Sequence, residues 1–168
     1  MLAKKKTQGK KHALRQIGWR ECVGLPDLGI PAIKAKIDTG ARTSALCAED
    51  IRIIEGKQPQ VAFTVPYAFC GQKHVACVAP LLGKRKIKNT SGFQEERFVI
   101  KTLLVIDGRR WHIEVSLADR ANMNFDFILG RTALRGHGFA VNPSRSFLAG
   151  DPIDKKTIHK KPHAKVQN

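Results

Sequence analysis

The stretch from Ala35 to Ala48, AKIDTGARTSALCA, decides how the rest of this 168-residue chain is read. It opens as a strand, Ala35-Lys36-Ile37, in which apolar and charged residues alternate, and it then delivers an acid, Asp38, straight into Thr39-Gly40-Ala41. The carboxylate therefore sits on a turn. Gly40 permits backbone angles that other residues avoid, and Thr39 offers a hydroxyl that can brace its own loop or a neighbouring chain. Asp and Gly are common turn formers in their own right. A given tripeptide also arises by chance in roughly a few per cent of chains of this length, so Asp-Thr-Gly needs a second element beside it.

That element lies far downstream. Phe125 to Leu134 reads FDFILGRTAL, in which Phe127-Ile128-Leu129-Gly130 is an apolar strand ending in glycine before a short helix-like segment, Arg131 to Arg135. An acid at the tip of a buried strand on a small-residue loop is how an aspartic peptidase presents its catalytic group. In pepsin-like and retropepsin-like half-barrels an apolar strand ending in glycine packs beside that loop and supports it. Order and kind both fit.

Working outward, ordered structure is expected to start near Ile17, with two short strands separated by a turn at Pro26-Asp27 and Gly29 to Pro31. Thr43 to Asp50 reads as turn-like, before a strand at Ile51 to Ile54. Gln60 to Phe69 and Lys73 to Leu82 read as a hairpin across Cys70-Gly71-Gln72. Lys84 to Lys88 is a basic strand edge that leads into a turn at Asn89 to Gly92, placed to act as a mobile flap over substrate. Asp107-Gly108 signals a primed hairpin turn after the strand Phe98 to Ile106. In the next strand Trp111, Ile113, Val115 and Leu117 face one way, and His112, Glu114 and Ser116 the other. A closing hairpin is expected from Phe139 to Leu148, turning at Asn142-Pro143-Ser144. Many short strands and one short helix predict an all-β, closed, mostly antiparallel barrel.

The formal charge is +16. Residues 1–16 carry +6 and no acid, residues 151–168 carry +3, and the body, 17–150, holds +7. The two ends are therefore expected to be solvated basic tails with weak contact to nucleic acid, flanking one domain. A basic body suits an acidic partner or substrate. The first sixteen residues hold no apolar core of a signal sequence, and no apolar run reaches the length of a membrane span. Cys22, Cys47, Cys70 and Cys77 form no CxxC pair. A cytoplasmic protein with reduced thiols is the expectation.

Four blocks, IGWRECVGLPDLGIPAIKAKIDTGARTSALCA (17–48), NTSGFQEERFVIKTLLVIDGRRWHIEVSLADR (89–120), FILGRTALRG (127–136) and VNPSRSFLAG (141–150), resemble a known family in its own order. It is the group long labelled ATP-dependent zinc proteases and now understood as retropepsin-like, RimB-like and RimK-associated. The resemblance covers residues 17–150. It implies a retropepsin-like peptidase domain, a neighbourhood with ligases that add glutamates to a small-subunit ribosomal protein, and an oligoglutamate tail or other acidic glutamyl peptide as substrate. Where that family commonly carries His after Ser-Ala-Leu, this chain has Cys47, which argues against a general base at that position.

The chemistry needs two carboxylates sharing one proton, so that one activates water while the other polarises the carbonyl. The chain offers one Asp-Thr-Gly, and the simplest completion is a twofold homodimer in which Asp38 meets Asp38 of a second copy. Asp126 is the other acid within the chain, with an outward structural role expected. Asp38, Thr39 and Gly40 form the expected catalytic loop. Arg42, Thr43, Ser91, Arg97 and Arg131 are the expected substrate contacts, since guanidinium grips carboxylate with two parallel hydrogen bonds. Arg97 could instead pair with Glu95 or Glu96, and Arg131 with local carbonyls.

Two other readings compete. Cys70, His74 and Cys77, with Cys22 or Cys47 as a fourth ligand, would make a zinc protease, although the spacing matches no common zinc frame and no HExxH occurs. No cofactor is expected, with zinc as the alternative; no phosphate-cradling loop for ATP is present. A non-catalytic module binding RNA or the ribosome through its charge is the other reading, though the body lacks a recognised RNA-binding motif.

Overall fold

The computed structural model describes residues 13–66, 74–88, 91–119 and 125–152. The Cys70-Gly71-Gln72 turn, Asn89 and Thr90, Cys70 as a zinc ligand, and most of both basic tails lie outside the described residues. The first strand, β1 (Arg15–Gly18), begins two residues inside the stretch expected as tail, because the Arg15 N–H donates to the Gly138 carbonyl at 2.9 Å and its Nε pairs with Asp107 at 2.7 Å.

In chain order there follow β2 (Arg20–Leu25), a 3-10 turn (Pro26–Leu28), β3 (Ile30–Asp38), β4 (Ser44–Cys47), β5 (Glu49–Ile54), β6 (Gln60–Val65), β7 (Val75–Lys88), β8 (Gln94–Ile106), β9 (Arg109–Ala118), β10 (Phe127–Gly130), α1 (Arg131–Leu134) and β11 (Phe139–Asn142). The main sheet runs β2-β3-β10-β4-β9-β8-β7-β6-β5, and Gly24 of β2 pairs with Val105 of β8. That pair joins β2, β3, β10, β4, β9 and β8 into a ring. Most pairings are antiparallel, as expected, but β3 with β10, β4 with β9 and β1 with β11 run parallel. The ring encloses Val23, Ile33, Ala35, Ile37, Leu46, Ile100, Leu104, Ile113, Val115, Leu117, Phe127 and Leu129. Apolar burial of this extent is the main favourable term in folding.

The two-residue turn after β8 is present as read, with Asp107 and Gly108 at φ of 55° and 67° and Ile106 opposite Arg109, while the alternation in β9 holds from Trp111 to Val115 and ends at Ser116, which β4 buries. The short helix is also where it was expected. Three expectations need correction. Thr43 to Asp50 is not turn-like: Ser44 to Cys47 is a strand buried on both faces between β9 and β10, and two-sided burial erases the alternation that marks a strand. Val75 to Lys88 is one strand rather than two, bent by a bulge between Leu81 and Gly83, where Gly83 has φ of 136°. Phe139 to Leu148 is not a hairpin. β11 pairs instead with β1, while the chain beyond it is drawn onto β2 by Glu21, a fully buried carboxylate that accepts N–H groups from Gly18, Leu148 (2.9 Å) and Ala149 (3.2 Å).

Candidate active site

The site is built at the end of β3. Its alternation puts Ile33, Ala35 and Ile37 in the core and Lys34, Lys36 and Asp38 on the other face, so the last strand residue carries its carboxylate outward as the chain turns. Asp38 closes its own turn. Its Oδ1 accepts from Gly40 N–H at 3.1 Å and from Ala41 N–H at 3.0 Å, while its carbonyl also accepts from Ala41 at 3.2 Å. Hydrogen bonds of this kind fix an ionised carboxylate in place. A Cβ at position 40 would stand 3.3 Å from Oδ1, so glycine keeps room for the carboxylate. The other oxygen, Oδ2, lies 3.6 Å from Lys36 Nζ, and the Asp38 side chain remains 29% exposed. One oxygen is committed to the loop and the other faces the Lys36 ammonium.

β10 and α1 hold the turn from beneath. The parallel register sets Gly130 opposite Asp38. The first N–H groups of a helix have no partner within it, and here the loop supplies two acceptors: Arg131 N–H donates to the Ala41 carbonyl at 2.9 Å and Thr132 N–H to that of Arg42 at 3.2 Å. The Thr132 hydroxyl adds a bond to the Arg42 carbonyl at 2.7 Å, and Arg131 Nη1 one to the Gly40 carbonyl at 2.8 Å. Gly130 is required by contact, since a Cβ there would lie 2.7 Å from the Thr43 carbonyl carbon. Its N–H donates to Ser44 Oγ at 3.1 Å, and the Ser44 carbonyl accepts from Ser116 Oγ at 3.0 Å, both buried.

Asp38, Thr39, Gly40, Arg42, Thr43 and Arg131 thus come together, with Thr39 and Arg42 exposed and Thr43 half-buried. Arg131 spends at least one guanidinium nitrogen on the loop carbonyl rather than presenting both to solvent. Ser91 and Arg97 lie on the β7–β8 hairpin. Ser91 is exposed, whereas the Arg97 side chain is 4% exposed and donates to Glu95 Oε2 through Nε at 3.0 Å and Nη2 at 2.8 Å. Asp126 does not reach Asp38. It stands four residues back along β10 from Gly130, about 13 Å at the rise of a strand, and burial pushes its carboxyl above the usual range. Cys47 lies at that same far end, its N–H on the Asp126 carbonyl at 2.8 Å.

The described members of the cysteine-histidine set do not converge. Cys77 is buried, with its Sγ 3.4 Å from the Leu28 carbonyl, and burial pushes the thiol up to about 12; His74, an odd number of residues away, is exposed. Among the described residues no three His, Cys, Asp or Glu side chains gather as metal ligands do, so those residues do not fit zinc. No helix among them is long and apolar enough to cross a membrane.

Sequence reasoning missed Ser44, Ser116 and Lys36. The two serines are small polar residues in apolar strands and carry no motif, while Lys36 reads simply as the outward half of an alternating strand.

Comparison with known proteins agrees with this geometry. The profile of a family described as RimB-like, "Retropepsin-like aspartic endopeptidase RimB", matches residues 16–152. A relative from Desulfotalea psychrophila named "Probable alpha-L-glutamate ligase" is 37% identical over 150 residues, 88% of this chain and 32% of its own length. One of the same name from Shewanella pealeana is 36% identical over 140 residues, 82% of this chain and 30% of its own. The chain thus spans about a third of the length of these curated relatives. A crystal structure of a Legionella pneumophila protein of unknown function is similar at a TM-score of 0.69 and 29% identity, covering 80% of this chain and 97% of that one.

Proposed function

Because the chain belongs to the RimB-like family of retropepsin-like aspartic endopeptidases, we propose that it is a cytoplasmic homodimeric peptidase that hydrolyses glutamyl peptide bonds. Its substrate on this reading is the oligoglutamate tail of a ribosomal protein or a similar acidic peptide. The observation that carries the reading is the Asp38 carboxylate, held through Oδ1 by two backbone N–H groups, with Oδ2 facing Lys36 on a part-exposed side chain.

Two copies meeting at Asp38 would share one proton between two carboxylates. The ionised one takes a proton from water as the oxygen attacks the peptide carbonyl, and the protonated one donates to the carbonyl oxygen. The tetrahedral diol then collapses, and a proton passes to the leaving amine as the C–N bond breaks. Thr39, exposed at the tip of the turn, would brace across the twofold axis of such a dimer. The reaction consumes only water. Names containing glutamate ligase among the relatives, and a net charge of +16, support an anionic glutamyl substrate.

The test is hydrolysis of an oligoglutamate peptide by wild type and Asp38→Asn, each with and without a chelator. Activity abolished by the substitution and indifferent to chelation is expected. Activity that survives Asp38→Asn and disappears with the chelator would move the chemistry to a metal.

A further inference from the structure

Beside Asp38 the fold sets two basic residues opposite each other in register. Lys36 precedes Asp38 by two residues on the same strand face, and its Nζ lies 3.6 Å from Oδ2 with the side chain 45% exposed. The antiparallel register of β2 and β3 places Arg20 directly opposite Lys36. Arg20 is oriented in advance: Nε donates to Ser146 Oγ at 2.9 Å, and its guanidinium carbon lies 4.8 Å from the Trp19 ring centre and 5.4 Å from that of Phe147. Like charges directly opposite on a sheet reduce its stability. Asp38 pairs with Lys36, and among the described residues no carboxylate forms a salt bridge with Arg20, so this corner carries an excess of positive charge.

We propose that Lys36 and Arg20 form the subsite for the side-chain carboxylate of a glutamyl residue flanking the scissile bond, with Lys36 as the specificity-determining residue. This deepens the peptidase reading and rests on Asp38 as the reacting centre. The ammonium is a compact charge with three rotatable donors, able to lean from Asp38 Oδ2 toward an arriving carboxylate, while a guanidinium held through Nε keeps its outer nitrogens for a second carboxylate contact. A glutamine side chain matches glutamate in shape but lacks the charge this pair is missing. The subsite therefore separates the two by charge rather than by size.

Binding separates this proposal from turnover. Fluorescein-labelled pentaglutamate and pentaglutamine are titrated by anisotropy, at low salt, onto Asp38→Asn and onto Asp38→Asn combined with Lys36→Met, Lys36→Arg or Lys57→Met. Asparagine keeps an acceptor for the Gly40 and Ala41 N–H groups, and Lys57 is an exposed lysine between β5 and β6 that serves as a control for overall charge. The expected result is a preference for pentaglutamate that falls about tenfold with Lys36→Met, the scale of one charge-assisted hydrogen bond. Lys36→Arg should retain most of it, and Lys57→Met should leave it nearly intact. Absence of any preference in Asp38→Asn, a preference unchanged by Lys36→Met, or an equal fall with Lys57→Met would each overturn the proposal. If wild type hydrolyses nothing while binding still depends on Lys36, the subsite stands and the peptidase reading falls.

Discussion

Arg131 Nη1 donates to the Gly40 carbonyl at 2.8 Å, joining residues 91 apart in sequence across the candidate active site. This bond assigns Arg131 to holding the turn that presents Asp38. Replacing it by methionine should lower kcat for oligoglutamate by about tenfold, the scale of one charge-assisted hydrogen bond, with KM little changed. A large rise in KM with kcat preserved would instead make Arg131 a substrate contact. Steady-state kinetics on Arg131→Met decides between the two.

Gly130 leaves no room for a side chain. Its neighbours are the backbone atoms of Thr43 and Ser44, at 2.7 to 2.9 Å from an added Cβ, and backbone does not swing aside as a side chain would. Gly130→Ala should cost about 1–3 kcal/mol of folding stability, the usual cost of overpacking, and should push the Asp38 turn out of place. Urea unfolding measures the first effect and peptide hydrolysis the second. A variant of normal stability and full activity would show that the loop yields freely.

Glu21 gathers three backbone N–H groups while fully buried. Glu21→Ala leaves those donors unpaired and should cost about 3 kcal/mol, since each buried donor without a partner carries a penalty. The loss should appear first in residues 145–152 as faster proteolytic cleavage, before global unfolding. Limited proteolysis followed by mass spectrometry reads the order directly.

The Cys77 thiol, pushed up to about 12 by burial from an ordinary 9.0, should resist alkylation in the native protein at pH 8 and react promptly once unfolded. The sign of its pH linkage follows. The folded state favours the protonated thiol, so this stabilisation is complete below pH 9 and is lost as pH climbs from 9 toward about 12. Iodoacetamide labelling across a urea series checks the first statement, and Cys77→Ala compared with wild type in alkaline unfolding checks the second.

The parts of the fold set by local chemistry were readable from sequence. Asp38 in its turn, the Asp107-Gly108 hairpin, the alternation from Trp111 to Val115 and the helix at Arg131 are each specified by neighbours a few residues away. What escaped was set by partners remote in sequence. Ser44 to Cys47 is a strand because β9 and β10 enclose it, and the segment after Asn142 follows a carboxylate 127 residues upstream. The same division runs through the site. The Asp-Thr-Gly loop announces itself by its tripeptide, whereas the Lys36–Arg20 pair emerges only when β2 folds back on β3. Propensity reaches along the chain, and register reaches across it.

The parallel pairing of β3 with β10 also has a consequence in time. Ribosomes release a chain from its N-terminus, so Asp38 emerges long before Gly130, Arg131 and Thr132, the residues that secure its turn. Until that late segment arrives, Oδ1 can close a local turn but nothing underlies it. A nascent chain therefore carries Asp38 before the segment that fixes its turn, and the geometry of the site is complete only once Thr132 has been synthesised.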